Sequence, residues 1–207
     1  MTLIEYFGEL KSSISHKPLK SSSNSSDGVS HRRGGRRRRG SSSGPQQPVE
    51  LGTIAYVNVS TSNAMTAYKH GNYERTLEVA ASSDSNKPIF ANFIEYPGCA
   101  GVYEAGRTIF SHPDIVNAVE EAFVPAYFNT WDRHNDAYNQ PMKEWGGELA
   151  DSDWGYLRVI TANGKEVVAA SPIITDKTTV DEVAIFLIVA LEALELPIPR
   201  SLRKYSN

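Results

Sequence analysis

The run Ile89-Phe90-Ala91-Asn92-Phe93-Ile94 is nearly continuous apolar, set between Lys87-Pro88 on one side and Pro97-Gly98 on the other. A strand with one wet face alternates apolar and polar residues. A run without alternation marks a central strand covered on both faces. Whatever else the chain does, it has to supply helices above and below that strand.

The flanking sequence supplies them. Residues 54–59 have strand composition. Asn72 can cap a helix whose apolar positions are Leu77, Val79, Ala80 and Ala81. A further helix is expected over residues 99–110. Ser111-His112-Pro113-Asp114 has the form of a helix start, with Ser111 as the cap and Ile115, Val116, Val119, Ala122 and Phe123 at helical spacing behind it. Residues 123–128 are a further strand candidate, and residues 135–145 are expected to form one short helix. Tyr156-Leu157-Arg158-Val159-Ile160 alternates, Asn163-Gly164 is a two-residue hairpin turn, and residues 165–169 are the return strand. Thr179 and Glu182 make a capping box for a last helix over residues 180–196, apolar almost all round and stopped by Pro197 and Pro199. A helix-crossed strand pair, then a hairpin, then a helix predicts an α/β domain with a mixed sheet between helices.

Charge separates this part from what precedes it. Residues 1–48 carry nine Lys/Arg against three Asp/Glu, while residues 49–207 carry twelve against twenty-one. We expect residues 1–50 to be a disordered Ser/Arg/Gly-rich tail, too poor in apolar residues to offset the ordering entropy, and residues 51–207 to be the folded domain. Within the tail, Arg32, Arg33, Arg36, Arg37, Arg38 and Arg39 could contact phosphates weakly or meet an import receptor. No aromatic interleaves them, which speaks against a base-stacking platform. The longest uncharged apolar run, nine residues at 183–191, is well under the ~18 needed to span a bilayer. With no apolar core behind the first basic residue to suggest a secretory signal, an intracellular and foremost cytoplasmic location is expected, with nucleus or organelle as alternatives. Asn58-Val59-Ser60 reads as a glycosylation sequon that such a location would leave unused. A single cysteine excludes an internal disulfide and a Cys-rich zinc site.

The order of elements, with Cys99 just after the second expected strand, resembles thioredoxin. The most specific residues are Lys87-Pro88-Ile89-Phe90, Glu95-Tyr96-Pro97-Gly98-Cys99, Gly106, Ser111-His112-Pro113 and Phe123-Val124-Pro125. They are similar to thioredoxin-like proteins with a Pro-Gly-Cys-x-x-Cys motif, a glycine four residues after the second cysteine, and a Ser-His-Pro helix start. The match covers residues 51 to 196. It implies a thioredoxin-like mixed sheet flanked by helices, Cys99 as the reacting residue, and substrate contacts from Pro97, Gly98, Gly155 and Tyr156.

Three departures bear on chemistry. The second cysteine of the motif is Val102, and a valine cannot resolve a mixed disulfide. Gly155 stands where that family places a cis-proline. Asn92 aligns with its buried aspartate, and an amide is not a base. The expected function is therefore that of a protein-binding module or single-thiol redox protein, without dithiol chemistry. The alternative is a monothiol oxidoreductase forming mixed disulfides with glutathione or a partner protein through Cys99.

A helix start lowers a thiol pKa by about one unit from ~8.5, while Glu95 and Glu104 oppose that locally. The expected thiol is moderately reactive. No cofactor and no metal ion are expected; Asp132, His134, Asp136 and His112 read as loop and helix-start residues.

Overall fold

The computed structural model describes residues 52–59, 71–82, 86–95 and 100–206. By backbone contacts the chain divides into residues 1–41 and 42–207, and every described residue belongs to the second unit.

The central strand, β1, is Ile89–Ile94, and all six of its residues are buried. Alternate side chains reach opposite cores. Phe90 and Ile94 join Phe110, Ile115, Val119, Leu187 and Leu191 on one face. Ile89, Ala91 and Phe93 join Ala80, Met142, Trp145 and Phe128 on the other. The unbroken apolar run follows from this two-sided cover.

Helix α1 (Tyr73–Ser82) precedes β1, and Asn72 Oδ1 accepts from the Arg75 N–H at 2.8 Å as its cap. After β1 come α2 (Ala100–Thr108) and α3 (Pro113–Ala122), then β2 (Val124–Asn129), parallel to β1. The cap of α3 is His112, not Ser111: His112 Nδ1 accepts from the Asp114 N–H, and the Ser111 hydroxyl turns back to donate to Gly106 O at 2.7 Å. Each satisfies a group left over at a helix end, and one residue of offset exchanges their roles.

Beyond β2 the chain makes a 3₁₀ turn, Thr130–His134, and a short helix α4, Gln140–Trp145. The helix expected over 135–145 is thus half that length, with Pro141 in its first turn. Strand β3 (Tyr156–Ile160) runs antiparallel to β1, and β4 (Val167–Ile173) antiparallel to β3. The sheet order is β2-β1-β3-β4, an α/β mixed sheet with helices on both faces.

The β3–β4 connection is longer than a two-residue turn. Thr161 N–H donates to Glu166 O at 2.9 Å across four residues, and Gly164 holds φ at +73°. Only one residue of the Asn163-Gly164 pair is left-handed, whereas a two-residue type I′ turn needs both. Helix α5 (Val180–Ala193) carries the expected capping box between Thr179 and Glu182. A 3₁₀ turn, Arg200–Tyr205, follows Pro197 and Pro199.

Residues 54–59 are not a strand. Val57 N–H donates to Pro125 O at 2.9 Å, and the Asn58 side chain takes the next rung. Its Oδ1 accepts from Tyr127 N–H at 2.9 Å and its Nδ2 donates to Tyr127 O at 2.8 Å. A side-chain amide thus stands in for backbone along the outer edge of β2. Asn58 is buried to 4% by that role, so the sequon reading has no accessible acceptor.

Candidate functional site

Parallel strands β1 and β2 end side by side, Ile94 opposite Asn129, and the residues beyond those ends form the candidate site. Open α/β sheets bind ligands at the carboxyl ends of their parallel strands. Asn129 Oδ1 accepts from Trp131 N–H at 3.2 Å and starts the 3₁₀ turn that swings Trp131 over the strand end. There the indole Nε1–H donates to Glu95 Oε1 at 2.9 Å. Glu95 is the first residue after β1, so the bond ties the two strand ends together.

A second loop meets the first. Thr130 Oγ1 donates to Asp153 O at 2.8 Å, and the Arg133 guanidinium pairs with the Asp153 carboxylate. Trp154 follows, 52% exposed; Trp131 is 54% exposed. Then comes Gly155, buried against the end of β1, where an added Cβ would lie 3.1 Å from Phe93 O. Its own carbonyl accepts from Ile174 N–H at 2.7 Å. Gly155 therefore occupies the boundary between β1 and β3 at the strand end, where the backbones approach closely.

Below it a closed seam runs between Asn92, Ile94, Ala105, Phe110, Gly155 and Ile174, with no space for a water molecule. Its polar member, Asn92, is 1% exposed, and its Nδ2 donates to the Tyr56 hydroxyl at 2.7 Å. Burial raises the Tyr56 pKa far above the ordinary tyrosine value, so the hydroxyl stays neutral. The pair is a satisfied, uncharged hydrogen bond.

Of the residues singled out in the sequence, Gly155 lies at this site. Tyr156 follows it but faces inward. It is fully buried, its ring stacks on Phe93 at 4.6 Å, and burial pushes its hydroxyl up to about 12. The side chain packs the core and leaves only backbone for contact with a substrate. Pro97, Gly98 and Cys99 lie outside the described residues, as do Arg32, Arg33, Arg36, Arg37, Arg38 and Arg39. Helix α2 begins at Ala100, the residue after Cys99. Glu95, one of the two carboxylates expected to oppose a thiolate, has an oxygen engaged by Trp131.

Two features escaped the sequence reading. The Trp131–Glu95 bond joins residues 36 apart, with no local pattern to announce it. Arg158 sits in β3 and is 4% exposed, a buried cation that nothing in the local pattern announces. Its Nε donates to Trp145 O at 3.1 Å and its Nη2 to Gly146 O at 2.7 Å, which caps the carbonyl end of α4; Nη1 donates to Leu157 O and Ser171 O. Burial lowers its pKa from the ordinary arginine value.

Among the described residues, no three His, Cys, Asp or Glu side chains come together to hold a metal ion, and no helix is long and apolar enough to cross a membrane. A wider groove, about 570 Å³, lies elsewhere, between α3 and the last 3₁₀ turn. It is shallow, and within it Lys204 Nζ pairs with Asp114 Oδ2 at 2.7 Å, with the Tyr205 hydroxyl donating to the same oxygen at 2.9 Å. Compared with protein-family models, with curated proteins and with solved structures, the chain matches none.

Proposed function

We propose that this chain is a thioredoxin-like domain that engages protein partners at the carboxyl end of β1 and can hold one through a single thiol, Cys99, without completing a dithiol cycle. The observation that carries this reading is the strand order. A parallel β-α-β unit is followed by an antiparallel β-β-α unit in the order β2-β1-β3-β4, and the chain's one cysteine immediately precedes the helix that follows the central strand. That is the arrangement the resemblance to thioredoxin implies.

The chemistry is limited by what the chain contains. The Cys99 thiolate attacks one sulfur of a partner disulfide, or of oxidised glutathione. A new sulfur–sulfur bond forms, the old one breaks, and the displaced sulfur leaves as thiolate. Release requires a second thiol to attack in turn. No other cysteine exists in the chain, and Val102 stands where the family has one. The neutral Asn92–Tyr56 pair is consistent with this loss, because the seam holds no carboxylate that could deprotonate a second sulfur. Release then depends on an external thiol such as glutathione.

Insulin reduction in dithiothreitol tests the missing half-cycle. The full chain is expected to precipitate insulin no faster than dithiothreitol alone. Strong acceleration would overturn the reading of Val102.

A further inference from the structure

Trp131 and Trp154 expose more than half of their surface at the end of the sheet, although each is next to a residue that is locked in place. Thr130 and Asp153 are joined at 2.8 Å, and the tryptophans sit one position beyond each of them. The Trp131 indole is itself fixed by Glu95. A large apolar ring fixed in water at a strand end, as the Trp131 indole is, favours a partner, since its ordering cost is already met before binding. The charges beside the two tryptophans select its chemistry. Glu95 accepts from the Trp131 indole, Asp153 is the residue before Trp154, and Asp151 lies two residues before Asp153; Asp153 keeps 58% of its side chain exposed. The nearby cation, Arg133, is 12% exposed and is turned toward Asp153 and the Thr130 carbonyl.

We propose that this surface takes an extended protein segment bearing arginine or lysine, with the cationic side chains lying over the indoles of Trp131 and Trp154 and within reach of the Glu95, Asp151 and Asp153 carboxylates. Indole faces attract cations, guanidinium best of all, and carboxylates at the rim add charge complementarity and speed encounter. The same carboxylates repel phosphate, which disfavours a nucleic acid despite the stacking surfaces. A purely apolar segment would leave the rim charges unmatched. The inference rests on the reading of this strand end as the partner-facing site, and it names the partner's chemistry.

The test uses the full-length chain with Arg32, Arg33, Arg36, Arg37, Arg38 and Arg39 each changed to serine, which removes that segment's own attraction for polyanions, and a fluorescein-labelled peptide of arginines spaced by glycine and serine, with a glutamate peptide of the same spacing and a single-stranded RNA oligonucleotide as comparisons. Anisotropy is expected to rise with the arginine peptide alone and to fall back as salt is raised. The double variant Trp131→Ala/Trp154→Ala is expected to weaken binding about tenfold. Trp145, buried and donating to Gly164 O, remains as the one indole of that variant, and a blue-shifted emission that moves to the red only on urea unfolding shows that the fold is intact. Equal binding of the glutamate peptide, tighter binding of the RNA, no binding at all, or wild-type affinity in the folded double variant would each overturn the proposal. The peptide has no sulfur, so these results are independent of Cys99. A glutathione adduct measured on the same preparation reports the thiol chemistry separately.

Discussion

The side-chain amide of Asn92 donates to the hydroxyl of Tyr56 at 2.7 Å, joining the centre of β1 to the segment that closes the outer edge of β2. Both residues are buried, at 1% and 6% exposure. Tyr56→Phe removes the acceptor and strands a buried N–H, so a loss of about 1–3 kcal/mol is expected in urea unfolding. Asn92→Asp puts a carboxyl into the same seam. Burial raises its folded pKa above the unfolded ~3.9, so what stability it retains is present at low pH and is lost as pH rises. Relative to wild type, that variant is expected to be markedly weaker at about pH 8 than at about pH 4.

Arg158 serves four carbonyls from β3, two of them at the end of α4. Its guanidinium also lies 4.5 Å from the centre of the Tyr156 ring. Lysine has the charge but not the planar fork, so Arg158→Lys is expected to cost about 2 kcal/mol in urea unfolding. Wild-type stability in that variant would show that the carbonyls find other donors.

At Asp114 the Lys204 hydrogen bond, helped by the Tyr205 hydroxyl, holds the carboxyl below the ordinary value of 3.8. A depressed folded pKa contributes stability above the unfolded value and loses it as pH falls through the folded one. Asp114→Asn is therefore expected to be less stable than wild type at neutral pH and equal to it well below pH 3.8. The exposed position of Lys204 lets solvent screen the pair, so the difference is expected to be small. Paired urea titrations at the two pH values measure it.

Gly155 has backbone of β1 against its Cα, with Phe93 O 3.1 Å from where a Cβ would be. A central-strand carbonyl has little room to yield. Gly155→Ala is expected to cost about 1 kcal/mol and to shift the amide resonances of Ile94, Glu95 and Ile174. An unperturbed spectrum would show that the strand end is looser than its contacts imply.

How much of this was legible in the sequence depended on how local the cause was. Burial on both faces wrote itself into residues 89–94 as an unbroken apolar run, and Thr179 and Glu182 satisfy each other within one turn, so β1 and the start of α5 could be read directly. Residues 54–59 have strand composition, but Asn58 substitutes its side chain for a backbone rung, and composition does not distinguish the two. The burial of Arg158 is not written in the alternation of residues 156–160, because alternation records side, not cover; the carbonyls that bury it come from the end of α4 and from β4. The motif position of Cys99 lies outside the described residues, and the pairing of Trp131 with Glu95 is a product of tertiary structure alone.

The central claim, a partner-holding domain with one exchange-competent sulfur, is tested most directly by the mass of the native full chain after incubation with oxidised glutathione. One glutathione per chain is expected, located on Cys99 and removed by dithiothreitol. A native chain that remains unmodified, and takes up glutathione only once it has been denatured, would contradict the claim.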